Sequence, residues 1–322
     1  MDLFDSLKEK VNGKNLTVVF PEGDEPRILE AAAKLNSENV LKPVLLGDET
    51  EIKQVASDNS FDLGDIEILS PKTYSDFEGM VDAFVERRKG KNTKEQAEEM
   101  LQNVNYFGTM LVYLDKADAM VSGAVHSTGD TVRPALQIVK TAPGNSRISG
   151  AFILQRGDER YLFSDCAINI DPDAQTLAEV AVQAAKSAKL FDIDPKVAML
   201  SFSTKGSAKG DQVTKVQEAT KLAKEMAPDV PIDGELQFDA SFVPSVANQK
   251  APGSEVAGHA NVFIFPELQS GNIGYKIAQR FGGFDAVGPI LLGLDKPISD
   301  LSRGCNADDV YKLSILTAAL AL

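Results

Sequence analysis

The chain has 322 residues, 43% of them hydrophobic and 25% charged, with 24 glycines and 15 prolines, a globular balance that excludes a collagenous, linker-like or short single-core protein. Lys+Arg 33 against Asp+Glu 47 leaves a formal net charge of −14, so the overall field repels polyanions. It argues against nucleic acid or an anionic membrane as partner and asks for a locally basic pocket around any anionic substrate.

The first third alternates strands and helices. Leu16 to Phe20 is a β-branched run, followed by an acidic turn and a helical pattern from Pro26 to Leu35 in which Ile28, Leu29, Ala32 and Leu35 share one face. Pro43 to Leu46 and Ile66 to Leu69 read as strands, with a polar helix between them and a helix from Tyr74 to Arg88 after them. That βαβαβα order predicts an α/β fold with a parallel sheet wrapped by helices. Asn92 to Val104 carries Thr93 as a helix start, and Ala119 to Gly123 is a small-residue strand that runs into a polar, Gly-containing segment from His126 to Thr131. Ligands of open α/β sheets bind at the carboxyl ends of strands, which makes that segment a site candidate.

From about Ser146 the texture changes. Ile148 to Leu154 and Arg160 to Phe163, joined by Gly157-Asp158-Glu159, predict a hairpin. Helices follow at 174–190, 212–226 and 272–281, and strands at 197–202, 232–238, 262–265 and 286–292. Residues 240–261 show little periodicity and read as a long loop beside a cleft. The apolar helix 308–322 is expected to be buried or to form a subunit contact.

Three segments could carry chemistry. In 296–310 an irregular approach leads to a helix starting near Asn306, so that Ser302, Arg303 and the first helical amides converge where a small anion could sit. The plain alternative is that Asn306 is an N-cap and that Asp308 and Asp309 serve only the macrodipole, which favours the ionised and less basic form of a carboxylate. In 126–134, hydroxyls and amides before a helix could hold phosphate oxygens, with Arg133 adding charge; the alternative is an ordinary capped helix start. The run Arg87-Arg88-Lys89-Gly90-Lys91 is either a solvated helix end or a counter-charge for an anionic ligand.

Phosphate-loop, GxGxxG and GxSxG patterns are missing, which weakens kinase, dehydrogenase and hydrolase readings. Cys166 and Cys305 lie far apart, and neither histidine is near Cys305, so a disulfide, a cysteine-type zinc site and covalent catalysis have little support; no metal is expected. The amino terminus lacks a secretory pattern, and the longest apolar runs are about half the ~20 residues of a membrane span, which predicts a cytoplasmic protein.

Taken together, LSRGCNADDVY, HSTGDTVRPALQIVKT, GNIGYKIAQR and FDAVGPILLGLDKPISDLSRG closely resemble the phosphate acetyltransferase (phosphotransacetylase) family, and the similarity runs from VVFPEGDEPRILEAA to the end of the chain. The resemblance implies two α/β/α domains with a cleft between them, similar to isocitrate/isopropylmalate dehydrogenases. Residues 1–140 plus 297–322 would form the first domain and 141–296 the second.

It implies reversible acetyl transfer between coenzyme A (CoA) and phosphate, by direct thiol attack in a ternary complex. CoA is then a substrate and there is no cofactor. Asp309 matches the base that takes the thiol proton, Ser302 the hydroxyl that supports the transition state, and Arg303 the arginine on the phosphate. Arg133, Arg87, Ser127, Thr128, Asn272 and Lys276 match substrate-binding positions, and a homodimer is expected. A butyryl-preferring acyltransferase and a non-catalytic CoA-binding regulatory protein are the alternatives.

Overall fold

The computed structural model describes residues 3–322. The described strands are β1 (Thr17–Phe20), β2 (Lys42–Leu46), β3 (Glu67–Leu69), β4 (Ala119–Ser122), β5 (Ser149–Arg156), β6 (Glu159–Ser164), β7 (Val197–Leu200), β8 (Ile232–Leu236), β9 (Val262–Ile264), β10 (Asp285–Leu292) and β11 (Ile298–Asp300). The chain divides into two compact units, one of Phe4–Ala142 with Leu294–Leu322, the other built from Pro143–Gly293.

In the first unit the strand order is β3-β2-β1-β4-β11, and each of these pairings is parallel. Parallel neighbours need crossovers, and the helices supply them. The helix Pro26–Ser37 begins with proline at its first turn, where a missing N–H costs nothing, and buries Ile28, Leu29, Ala31, Ala32 and Leu35. Strands β2 and β3 extend the sheet to one side of β1 and β4 and β11 to the other, so the order reverses between β1 and β4. Such a reversal opens a crevice at the carboxyl ends of the two strands.

Two sequence expectations are refined here. The stretch 92–104 holds the helix Lys94–Leu101, started by a Thr93–Gln96 capping box, and a second helix, Val104–Tyr113, begins at once because the Asn103 side chain accepts from the amides of Asn105 and Tyr106. The last helix, Ala307–Ala319, packs on the helix Pro26–Ser37 and on β4, so most of its apolar residues are buried within their own unit.

The second unit has the order β10-β5-β6-β9-β7-β8. β5 and β6 form the expected hairpin, with Arg156 opposite Glu159 and Gly157 at φ +57° in the turn. β10 is antiparallel to β5, while β6, β9, β7 and β8 run parallel.

The expected long loop is not irregular. Phe238–Phe242 and Pro244–Lys250 are short helices, and the amide of Gly258 donates back to the carbonyls of Ala240 and Ser241. Helices of five and seven residues are too short to leave a periodic signature. No helix among the described residues is long and apolar enough to cross a membrane.

Gly258 holds this fold-back at φ +78°, and a Cβ there would lie 2.8 Å from Pro244 Cα and 2.9 Å from Ala247 Cβ. Gly258→Ala is therefore expected to cost on the order of 2 kcal/mol or more, read as a lowered midpoint in thermal or urea unfolding.

Candidate active site

At the reversal between β1 and β4 a carboxylate fills the crevice. Glu22, just after β1 and only 2% exposed, accepts four backbone amides from the segment after β4: Gly123 and Ala124 at 3.1 and 2.8 Å, Val125 and His126 at 2.9 Å each. His126 Nδ1 lies 2.8 Å from the same carboxylate. Burial opposes ionisation of Glu22, yet His126 and these amides override it and hold the carboxyl below its ordinary value. The bond to Glu22 raises the pKa of His126 in turn. Of the amides in 126–134 that the sequence offers to a phosphate, that of His126 is thus taken by Glu22 and that of Ser127 by Asp130, and His126 is a loop-pinning histidine.

Arg27, in the first turn of the next helix, clamps the neighbouring loops. Its Nε donates to Glu25 at 2.6 Å, Nη1 to the carbonyls of Arg303 and Cys305 at 2.9 Å, and Nη2 to the carbonyl of Ala124 at 3.0 Å. A second link is direct: Thr128 Oγ1 donates to Asp300 Oδ2 at 2.7 Å. Segments 124–128 and 300–305 are therefore held side by side. Asp300, at the end of β11, is 1% exposed, and burial pushes its pKa up to about 6 against the opposing hydroxyls of Thr128 and Thr131.

The segment 302–309 combines an open loop with a capped helix. Arg303 and Ser302 are exposed, and the Ser302 hydroxyl accepts from the amide of Gly304 at 3.3 Å. Asn306 caps the final helix in a box with Asp309: the amide of Asp309 donates to Asn306 Oδ1, and Asp309 Oδ2 accepts from the amide of Asn306, both at 2.9 Å. Asp309 Oδ1 carries no hydrogen bond among the described residues. Cys305 is buried, which pushes its thiol up to about 11 and leaves almost no thiolate at neutral pH.

Ser127, Thr128, Arg133, Ser302, Arg303 and Asp309 all belong to the first unit. The Ser127 hydroxyl donates to Asp130 at 2.7 Å in a helix-starting box, so this hydroxyl proton, like that of Thr128, is committed within the protein. The guanidinium groups of Arg133 and Arg303, by contrast, make no hydrogen bond or ion pair among the described residues.

Arg87 is not brought to this group. It donates to the carbonyls of Ile138 and Val139 and stacks on Tyr113, closing the carboxyl end of the helix Thr128–Ile138. At 1.5 Å per residue that end lies roughly 15 Å from Thr128. Arg88 likewise bonds Asn92 and the carbonyl of Gln137, so the basic run is chiefly a helix-end device. Asn272 and Lys276 lie on the helix Leu268–Arg280 of the second unit, where Asn272 donates to the carbonyl of Cys166 and accepts from Lys276.

Sequence reasoning missed Glu22, Arg27 and Asp300. The acidic turn after the first strand was visible as a turn, but nothing local showed which amides its carboxylate would reach.

A family model described as phosphate acetyl/butaryl transferase matches residues 2–318. The phosphate acetyltransferase of Bacillus subtilis (strain 168) is 61% identical over 321 residues, covering 100% of this chain and 99% of the relative. A phosphotransacetylase structure from Staphylococcus aureus is 60% identical with a TM-score of 0.95, covering 100% of this chain and 98% of that one. A phosphotransacetylase structure from Streptococcus pyogenes is 61% identical with a TM-score of 0.96, covering 99% and 98%.

Two outcomes follow from the buried charges. The His126 contribution is fully present below its unfolded pKa of 6.5 and fades as pH rises through the raised value; the Glu22 contribution is present above 4.5 and fades as pH falls through the lowered one. Glu22→Gln should therefore destabilise the protein most between these limits, by on the order of 3 kcal/mol, and return the NMR-observed His126 titration towards 6.5. Asp300 has the opposite sign from Glu22: its raised pKa means stability is lost as pH climbs from 3.8 to about 6. Unfolding measured at pH 4 and pH 8 should show that Asp300→Asn lacks this loss.

Proposed function

Since the chain belongs to the phosphate acetyl/butaryl transferase family and is an acyltransferase, we propose that its reaction is the reversible exchange of an acetyl group between CoA and inorganic phosphate, carried by residues of the first unit. The observation that carries the site assignment is that, in a chain of net charge −14, Arg133 and Arg303 are the arginines of the first unit whose guanidinium groups have no hydrogen bond or ion pair among the described residues, whereas Arg27, Arg87 and Arg88 are occupied by carbonyls and side chains. Two uncommitted cations on adjoining segments suit a substrate that is a phosphate or an acyl phosphate.

In this reading Arg303 holds the phosphate end of acetyl phosphate and Arg133 contributes to binding it. Asp309, whose Oδ1 is free, takes the proton of the CoA thiol. The sulfur then bonds to the acetyl carbon, the bond from that carbon to the bridging oxygen breaks, and phosphate departs with the electron pair. A free thiol of pKa near ~8.5 is mostly protonated at neutral pH, which is why a base is needed. The Ser302 hydroxyl proton and the Arg303 guanidinium stabilise the developing oxyanion. Thr128 and Ser127 shape the start of the helix that presents Arg133, and Arg87 acts indirectly by holding that helix at its other end. Asn272 and Lys276 are assigned to CoA.

We read the units as two α/β/α domains of the isocitrate/isopropylmalate dehydrogenase kind, divided near residues 140 and 297, and the protein as a cytoplasmic homodimer. For the dimer, support comes from Ile273, Ile277 and Phe281, spaced four apart and 56, 52 and 91% exposed, an apolar stripe of the kind that marks an interface.

Asp309→Asn is expected to lower turnover ~10²–10⁴-fold with the Michaelis constants little changed; an unaltered turnover number in a thioester-forming assay rejects the base assignment. Arg303→Gln is expected to weaken use of acetyl phosphate far more than CoA binding, and equal losses in both count against its role. Running the same assay with butyryl phosphate distinguishes the acetyl from the butyryl enzyme.

A further inference from the structure

Asp300 is the last residue of β11, and the chain passes from it directly into Leu301, Ser302 and Arg303. Its neighbours leave little freedom. Leu301 N donates to the carbonyl of Ser122 at 2.6 Å, and a Cβ on Gly123 would lie 2.5 Å from Asp300 Oδ1. Oδ2 accepts from Thr128, the exposed first residue of the helix that carries Arg133, while Oδ1 is buried without a hydrogen bond of good geometry, as is the hydroxyl of Thr131 on the same helix, which also acts on this carboxyl.

The charged groups acting on it are also anionic: Glu22 from the turn after β1 and Asp130 from the same helix as Thr128. β4 and the residue after it add only the uncharged Ser122 and Gly123, and the last helix reaches β11 through Thr317, which bonds Ser299. A buried, half-satisfied carboxylate beside two like charges works against the fold, so its presence calls for a reason other than stability.

Resting on the transfer reading above, we propose that Asp300 is a positioning residue for the reaction: through Thr128 it sets the first turn of the Arg133 helix against the base of the Ser302–Arg303 loop. The ionised carboxylate makes a charge-assisted bond to the Thr128 hydroxyl, stronger than the bond a neutral acid would make. Protonation at a pKa of about 6 weakens that link while leaving Arg133, Ser302 and Arg303 chemically unchanged. A misplacement of about 1 Å at such a link is enough to cost up to ~10²-fold in rate.

The test is the pH dependence of kcat/KM for acetyl phosphate, with CoA saturating, between pH 5 and 8.5. The wild type is expected to show an acid limb with a midpoint near 6. Asp300→Asn, a neutral acceptor at every pH, should lack that limb and run roughly 10- to 100-fold lower at pH 7.5, with the KM for CoA unchanged. Thr128→Val should reproduce the loss and Thr128→Ser should restore it, which keeps the test decisive if the Asp300 variant does not fold.

A wild-type acid limb retained in Asp300→Asn, or wild-type rates in Thr128→Val, overturns the inference while leaving acetyl transfer intact. A wild-type protein that forms no thioester from acetyl phosphate and CoA overturns the transfer reading itself.

Discussion

The structure around the site depends on one carboxylate. Glu22 draws four successive backbone amides of the segment after β4, together with the His126 imidazole, onto its two oxygens. In other α/β sheets a reversal of strand order between neighbouring strands leaves amides free to receive a ligand. Here the chain supplies its own anion, so these amides are structural and the loop leading to Ser127 and Thr128 is pinned at five points. Arg27 then carries that order across to the carbonyls of Arg303 and Cys305.

This arrangement accompanies a division of the first unit's arginines into two groups. Arg27, Arg87 and Arg88 stiffen loops and helix ends by donating to carbonyls or side chains, where a guanidinium offers several directed donors at once. Arg133 and Arg303 make no hydrogen bond or ion pair among the described residues, which leaves their guanidinium donors open to a bound phosphate. The anions divide in a similar way. Glu22 and the capping Asp130 stabilise the fold, whereas Asp300 is buried at a cost, and that cost falls where two candidate site segments meet.

What could be read in advance followed from short-range rules. The hairpin at Gly157-Asp158 came from turn chemistry, the helix over Pro26–Leu35 from its apolar spacing, and the Asn306 cap from residue type and position. The failures share a different cause. β11 has only three residues and exists because Ile298, Ser299 and Asp300 pair with Met120, Val121 and Ser122, nearly 180 positions earlier. The two short helices in 238–250 fall below the length at which periodicity shows. The basic run reads as a helix end or as a counter-charge for a ligand, and sequence alone does not show that its arginines reach the carbonyls of a helix remote in sequence.

By itself the sequence determined the α/β class, the placement of most elements, the acidic field and, through several motifs together, the family. All of these are properties of neighbouring residues or of sums over the chain. Only the tertiary structure decided which charges are free and which are spent. That outcome depends on distances between residues a hundred or more positions apart, such as Glu22 to His126 and Thr128 to Asp300. A local pattern cannot encode such a distance, because it is set by how the strands stack beside one another and by which buried polar groups must then find partners.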